Sequence, residues 1–164
     1  GDKVIGMIVT DDFDTSVLTI SKYGMAKRSR LGSGEMIAST QGDESQSENV
    51  FDESGNQIFE RDGYRKTNRG TKGVRTMSLR DGDEIVSVRQ IPDLEDQLFM
   101  LTGSGMMIRM VSGQTKETLG KVTKGTRIME LRNRDRSGYV DEIVFVARLP
   151  SELIDTAESP NEEE

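Results

Sequence analysis

The chain contains no cysteine, no histidine and no tryptophan in 164 residues, and only three prolines. Without Cys or His there is no disulfide, no thiolate nucleophile, no zinc site of the usual kind and no imidazole for acid–base catalysis. Aromatic residues make up 5% of the chain, too few for a platform that binds by stacking. No apolar run approaches the roughly 18 residues of a membrane span, and the N-terminus does not read as a signal peptide. Hydrophobic residues are 33% and charged residues 31%, so the core is modest and the length fits one domain or two very small ones.

What the chain does have is repetition. Thr71 to Arg80 reads TKGVRTMSLR and Thr123 to Arg132 reads TKGTRIMELR, an offset of 52 residues with seven identities. Ser16 to Arg28, ending YGMAKR, aligns with Gln97 to Arg109, ending SGMMIR, at an offset of 81. Gly1 to Ile5 (GDKVI) aligns with Gly82 to Val86 (GDEIV) at that same offset, and Asp83 to Val86 (DEIV) recurs at Asp141 to Val144, 58 residues on. The unit is therefore about 52 residues, with a long insertion between Leu31 and Tyr64 in the first copy and a short one near Asn133 to Gly138 in the second. A period near 40–50 residues marks a propeller-like array whose repeats are small sheets, with insertions in loops.

Charge is distributed unevenly. Residues 151–164 hold six acids and no base, and residues 32–63 hold eight acids and one base. The remaining repeat body carries 15 acids and 21 bases, close to +6, against −7 for the whole chain. A basic body with acidic appendages points to an anionic partner.

Alternating apolar residues bounded by turn formers predict short strands at Val4–Val9, Val17–Ile20, Val74–Leu79, Glu84–Arg89, Gln97–Thr102, Met106–Val111 and Glu142–Ala147. Leu98–Leu101 and Met106–Met110, joined through Gly103 and Gly105, form a predicted hairpin. Met77, Leu79, Met129 and Leu131 are expected in the core, with Arg75 and Arg127 at the rim, and the nine methionines are expected to fill gaps. The insertion is expected to be a mobile loop with a small hairpin pairing Val50-Phe51 with Ile58-Phe59. Residues 150–164 are expected to be a disordered acidic tail with a turn of helix at Ser151–Ala157.

The order of a V-L-T-x-x-x-Y-G-x-x-K-R hairpin, a basic Gly-rich loop and K-G-V-R-x-M-x-L-R-D-G-D-E-I-V closely resembles the C-terminal domain of the A subunit of bacterial DNA gyrase and of its relative, topoisomerase IV. The resemblance covers residues 1–31 and 64–149. It implies an all-β fold, a β-pinwheel of four-stranded blades, here about two of them and partial, spanning 1–149. It also implies a non-catalytic domain of an ATP-dependent topoisomerase, in the cytoplasm, that binds and bends double-stranded DNA alongside the rest of the A subunit and the ATPase B subunit. No membrane partner and no cofactor or metal are implied. The family's hallmark QRRGGKG box is represented by Thr67 to Gly73, TNRGTKG, in which Arg69, Gly70, Lys72 and Gly73 match; the second copy, LGKVTKG, keeps only Lys124 and Gly125. The hallmark box itself is therefore expected upstream, outside this chain.

On this resemblance the DNA-binding candidates are Lys27, Arg28 and Arg30; Arg65, Lys66, Arg69, Gly70, Lys72, Gly73 and Arg75; Arg109 and Lys116; and Lys121, Lys124 and Arg127. Cations displace condensed counterions from phosphates, and glycines let backbone N–H groups come close. The acidic tail is a candidate competitor for the same cations. Tyr23, Tyr64 and Tyr139 lack a neighbouring base and are not expected to be nucleophiles, and Asp11-Asp12-x-Asp14 lacks the ligand spacing of a calcium loop. The alternative is a protein-interaction propeller without DNA affinity. A partial array would also expose strand edges, and self-association through them is expected.

Overall fold

A computed structural model describes residues 3–38, 40–41, 48–49, 51–118, 123–132 and 138–157. Its strands run in chain order β1 (Ser16–Ser21), β2 (Met25–Arg30), β3 (Met36–Ala38), β4 (Thr40–Gln41), β5 (Glu48–Asn49), β6 (Phe59–Arg61), β7 (Ile85–Ile91), β8 (Gln97–Thr102), β9 (Met107–Val111), β10 (Thr126–Arg127) and β11 (Ile143–Leu149), followed by one helix, α1 (Ser151–Ala157). The four-stranded first sheet has the order β10-β2-β1-β7, and the second has the order β11-β8-β9. All these pairings are antiparallel. The fold is all-β, two blades of a β-pinwheel, one with four strands and one with three.

The repeats in the sequence return as identical hydrogen bonds. Asp83 accepts from the backbone N–H of Tyr23 at 3.1 Å, at the tip of the β1–β2 hairpin. Asp141, its counterpart, accepts from Ser104 N–H at 3.1 Å, at the tip of the β8–β9 hairpin. Lys22 N–H donates to the Glu84 carbonyl at 2.9 Å, and Gly103 N–H donates to that of Glu142 at 3.0 Å. One carboxylate per unit thus fastens each hairpin to the strand that follows it, which explains why the D-E-I-V signature recurs with the hairpin signature. Both hairpins turn on a glycine with positive φ, Gly24 at 79° and Gly105 at 86°.

The core draws on both sheets. Leu18, Ile20, Ala26 and Ile91 of the first meet Leu98, Met100, Ile143 and Val146 of the second, and Leu131 joins them. Alternation explains the choice: Leu18 and Ile20 are two residues apart on one face of β1, and Leu98 and Met100 are two apart on one face of β8. β1 is nonetheless buried along its whole length. Its other face, carrying Val17 and Thr19, lies at an apolar depression that Phe13, Tyr64 and Val88 also line.

Several expectations need correction. Val4–Val9 and Val74–Leu79 alternate but form no strand, and Val4, Met7 and Val9 are exposed. Alternation creates a face suited to a sheet, yet a strand exists only where another strand accepts its hydrogen bonds. Leu79 is 38% exposed and Met129 only partly buried, whereas Met77 and Leu131 are buried as expected. Of the methionines, Met25, Met77 and Met100 fill the interior, but Met7, Met36, Met106 and Met107 face solvent. In the insertion, β3 pairs with β6 and β4 with β5, and Phe51 bridges Gln57. The Asp52 carboxylate closes that turn by accepting from Ser54 and Asn56 N–H groups. α1 occupies the expected stretch. It is fastened by Ser151, whose N–H donates to the Asp96 carboxylate and whose hydroxyl donates to that of Asp93.

Candidate nucleic-acid interface

The predicted cations divide by burial. Lys27 is 2% exposed, and its ammonium donates to the Thr76 carbonyl at 2.6 Å. Arg28 is buried too: Nε donates to the Thr115 carbonyl at 2.8 Å, and one terminal nitrogen reaches the Glu117 carboxylate at 2.9 Å and the Ser16 hydroxyl at 3.2 Å. These two residues are therefore corrected from DNA-facing candidates to internal cross-links. They sit in β2, the second strand in from one edge of the first sheet, and bind the chain that passes over it. Arg30, exposed at the end of β2, is engaged by Asp14 at 3.1 Å and Asp62 at 3.2 Å. The Asp62 carboxyl is held below its ordinary range by the Ser33 N–H it accepts and, further, by Arg30.

Arg65, Lys66, Arg69, Lys72 and Arg75 present the opposite picture. All five are exposed, and none makes an ion pair with a described residue. The backbone between them turns at Gly70 and Gly73, with φ of 80° and 78°. A Cβ at either glycine would meet nothing within 4 Å, so the space beside the backbone is open. Thr71, overlooked in the sequence, shapes this stretch by donating its hydroxyl to the Asn68 carbonyl at 3.0 Å. The Asn-x-Gly-Thr composition of a turn was the available signal.

The chain that follows the first T-K-G copy meets the second copy. Ser78 N–H donates to the Thr123 carbonyl at 3.0 Å, so the chain following Lys72 and Arg75 runs beside that preceding Lys124. Lys124 is exposed, and Gly125, next to it, packs against the Ala26 carbonyl. Lys116 is exposed and adjoins Thr115 and Glu117, both held by Arg28. Lys116 and Lys124 thus lie along the outer edge of β2. Arg127 is partly exposed and paired with Glu130, which Arg132 also holds at 2.9 Å. The Arg132 hydrogen bond is the main cause that brings the Glu130 carboxyl down to about 2. Arg109 lies apart on β9, bonded to Gln97 and over the Phe99 ring. Lys121 lies outside the described residues.

Two of the tyrosines join the blades. Tyr23 and Tyr139 stack with ring centroids 3.8 Å apart, and the Tyr139 hydroxyl accepts from Arg80 at 3.1 Å. Asp11 to Asp14 form a turn in which Asp14 N–H donates to the Asp12 carboxylate. No helix is long and apolar enough to cross a membrane among the described residues.

Residues 58–92 and 96–136 match the family model of the DNA gyrase C-terminal domain, beta-propeller. The chain is 28% identical to the DNA gyrase A subunit of Campylobacter jejuni over 98% of its length and 30% identical to that of Campylobacter fetus over 94%. It spans 14% of the length of each of these relatives. The C-terminal domain of Escherichia coli ParC has the same fold, with a TM-score of 0.51 at 16% identity over 87% of this chain and 44% of that one.

Proposed function

We propose that this chain, recognised as a relative of the C-terminal domain of the bacterial DNA gyrase A subunit, binds double-stranded DNA without sequence preference and bends it as part of a supercoiling enzyme. The observation that carries the reading is the run from Arg65 to Arg75: five exposed cations without carboxylate partners among the described residues, on a backbone opened by two glycines. Cations that are already paired release few counterions on binding, whereas free ones exchange directly with phosphates. Lys116 and Lys124 extend this surface along the β2 edge. Lys27 and Arg28 support it from beneath by fixing Thr76 and Thr115.

In the proposed complex the cations set position and the sequence goes unread, because the chain has no tryptophan and few aromatic residues to stack on bases. A curved cationic surface repays the cost of bending a site of 20–30 base pairs, on the order of 1–6 kcal/mol. The rest of the A subunit and the ATPase B subunit are the proposed partners in the whole enzyme.

The test is binding to relaxed circular DNA at several salt concentrations, followed by ligation and linking-number analysis. Affinity is expected to fall steeply with salt. Replacing Arg69, Lys72 and Arg75 with alanine together is expected to lower the slope by about 3, near one unit per phosphate contact removed. Affinity that is absent or independent of salt would instead favour a protein-interaction propeller.

A further inference from the structure

The exposed cationic run is a loop whose two ends touch. Tyr64 immediately precedes Arg65 and Thr76 immediately follows Arg75, and their side-chain hydroxyls are hydrogen-bonded to each other. Each end is also fixed separately to the first blade. Tyr64 N–H donates to the carbonyl of Leu31, just past β2, at 2.8 Å, and the tyrosine lines the apolar depression with Phe13, Leu31 and Val88. A Cβ on Gly63 would lie 2.0 Å from that same Leu31 oxygen, so this approach requires glycine. The Asp62 carboxylate, two residues before Tyr64, accepts from Ser33 N–H at 2.7 Å and pairs with Arg30 at 3.2 Å. On the other side, Lys27 donates to the Thr76 carbonyl at 2.6 Å, and Met77, next in the chain, is buried.

The other repeat is built differently at the same two positions. At the 52-residue offset Lys116 and Ile128 stand in place of Tyr64 and Thr76, and neither supplies a hydroxyl. The stretch between them holds three cations, Lys121, Lys124 and Arg127, and begins with Glu117, which turns back to Arg28. The stretch between Tyr64 and Thr76 holds five cations and no acid. The hydroxyl pair thus stands at the mouth of the more highly charged loop, and both of its members are held in place from the side of β2.

We infer that Tyr64 and Thr76 are positioning residues for DNA: the bond between their hydroxyls latches the Arg65–Arg75 loop and holds its cations where the duplex backbone meets them. The inference rests on the reading of that loop as the DNA surface. A loop whose ends are tied by side chains as well as by the backbone has less freedom left to lose on binding. Neither hydroxyl carries charge, so the latch governs how the cations are placed and not how many there are. Breaking it therefore has a different signature from removing a cation. Affinity falls, while the number of counterions released, and with it the salt slope, is unchanged.

Tyr64→Phe, Thr76→Val, Thr76→Ser and the combined Tyr64→Phe/Thr76→Val variant test this in two assays, each on protein with an unchanged circular dichroism spectrum. Native-state trypsin cleavage between Arg65 and Arg75, located by mass spectrometry, reads the loop without DNA. Tyr64→Phe and Thr76→Val are each expected to speed it about three- to tenfold, the range of one hydrogen bond. Thr76→Ser keeps the hydroxyl and is expected to cleave like the unmodified chain, and the combined variant like either single one. Affinity for a short duplex across a salt series is expected to fall by about that same factor in Tyr64→Phe and Thr76→Val, at an unchanged slope, and to be retained in Thr76→Ser. Cleavage indifferent to Tyr64→Phe, additive effects in the combined variant, or Thr76→Ser behaving like Thr76→Val would overturn the latch. Steep, salt-dependent binding that is equal in all the variants would overturn the positioning role alone. An unmodified chain without salt-dependent affinity would overturn that role together with the DNA reading.

Discussion

Two groups of cations in this chain look alike on paper and act in opposite ways. Lys27 and Arg28 hold the first blade together from inside, each donating to a backbone carbonyl of the chain that crosses β2. Arg65 to Arg75 pair with no described carboxylate. A buried cation must be compensated where it lies, so its charge is spent on architecture; an exposed one keeps its charge available to a partner. The basic excess of the repeat body therefore overstates what an anion can reach.

Substitutions sharpen this contrast, beginning with the largest effect on stability. Arg28→Ala removes a buried guanidinium and strands Glu117, Ser16 and the Thr115 carbonyl. The expected cost is about 3 kcal/mol, read as a lowered urea midpoint. Lys27→Met keeps the aliphatic stem but leaves the Thr76 carbonyl without this donor, costing about 1–2 kcal/mol in the same assay. Exchanging Lys72 and Arg75 for alanine is expected to change stability by less than about 0.5 kcal/mol while weakening DNA binding, measured by fluorescence anisotropy. If these two variants proved as destabilising as Arg28→Ala, the division between internal and available charge would be wrong.

The smallest effect belongs to acid. The Ser104 hydroxyl, with that of Thr102, holds the Asp141 carboxyl at about 2, below its ordinary 3.8. A depressed carboxyl contributes its stability in full above the unfolded value and loses it as pH falls through the folded one. A shallow loss of stability is thus expected between about pH 4 and pH 2, with Glu130 adding to it. Ser104→Ala should flatten that limb, leaving stability at pH 7 slightly lower. Thermal midpoints across the range would show it, and an unchanged acid limb would mean that Asp141 does not hold the hairpin tip in this way.

Much of the architecture is legible in the sequence because it repeats. Asp83 and Asp141 mark hairpin anchors, and Gly24 and Gly105 mark the turns; local pattern and tertiary bond coincide at these residues. Val4–Val9 misleads because periodicity reports a face and not a partner, and no described strand accepts it. Lys27 and Arg28 mislead because a lysine and an arginine in a strand carry no local sign of what will cross above them. Their partners are 49 and 87 residues away. The Arg65–Arg75 run can be read directly from the sequence because exposure is the default for consecutive charges around glycines.

The stacked tyrosines have a use beyond packing. Tyr23 caps the first hairpin and Tyr139 precedes the last strand of the second blade, and their rings lie within 7° of parallel. With no tryptophan to mask them, these two of the chain's three tyrosines are expected to give a near-ultraviolet circular dichroism signal that reports the seam between the blades. Prying the blades apart would remove that contribution even if each sheet stayed intact, so the protein carries its own optical gauge of the joint between them.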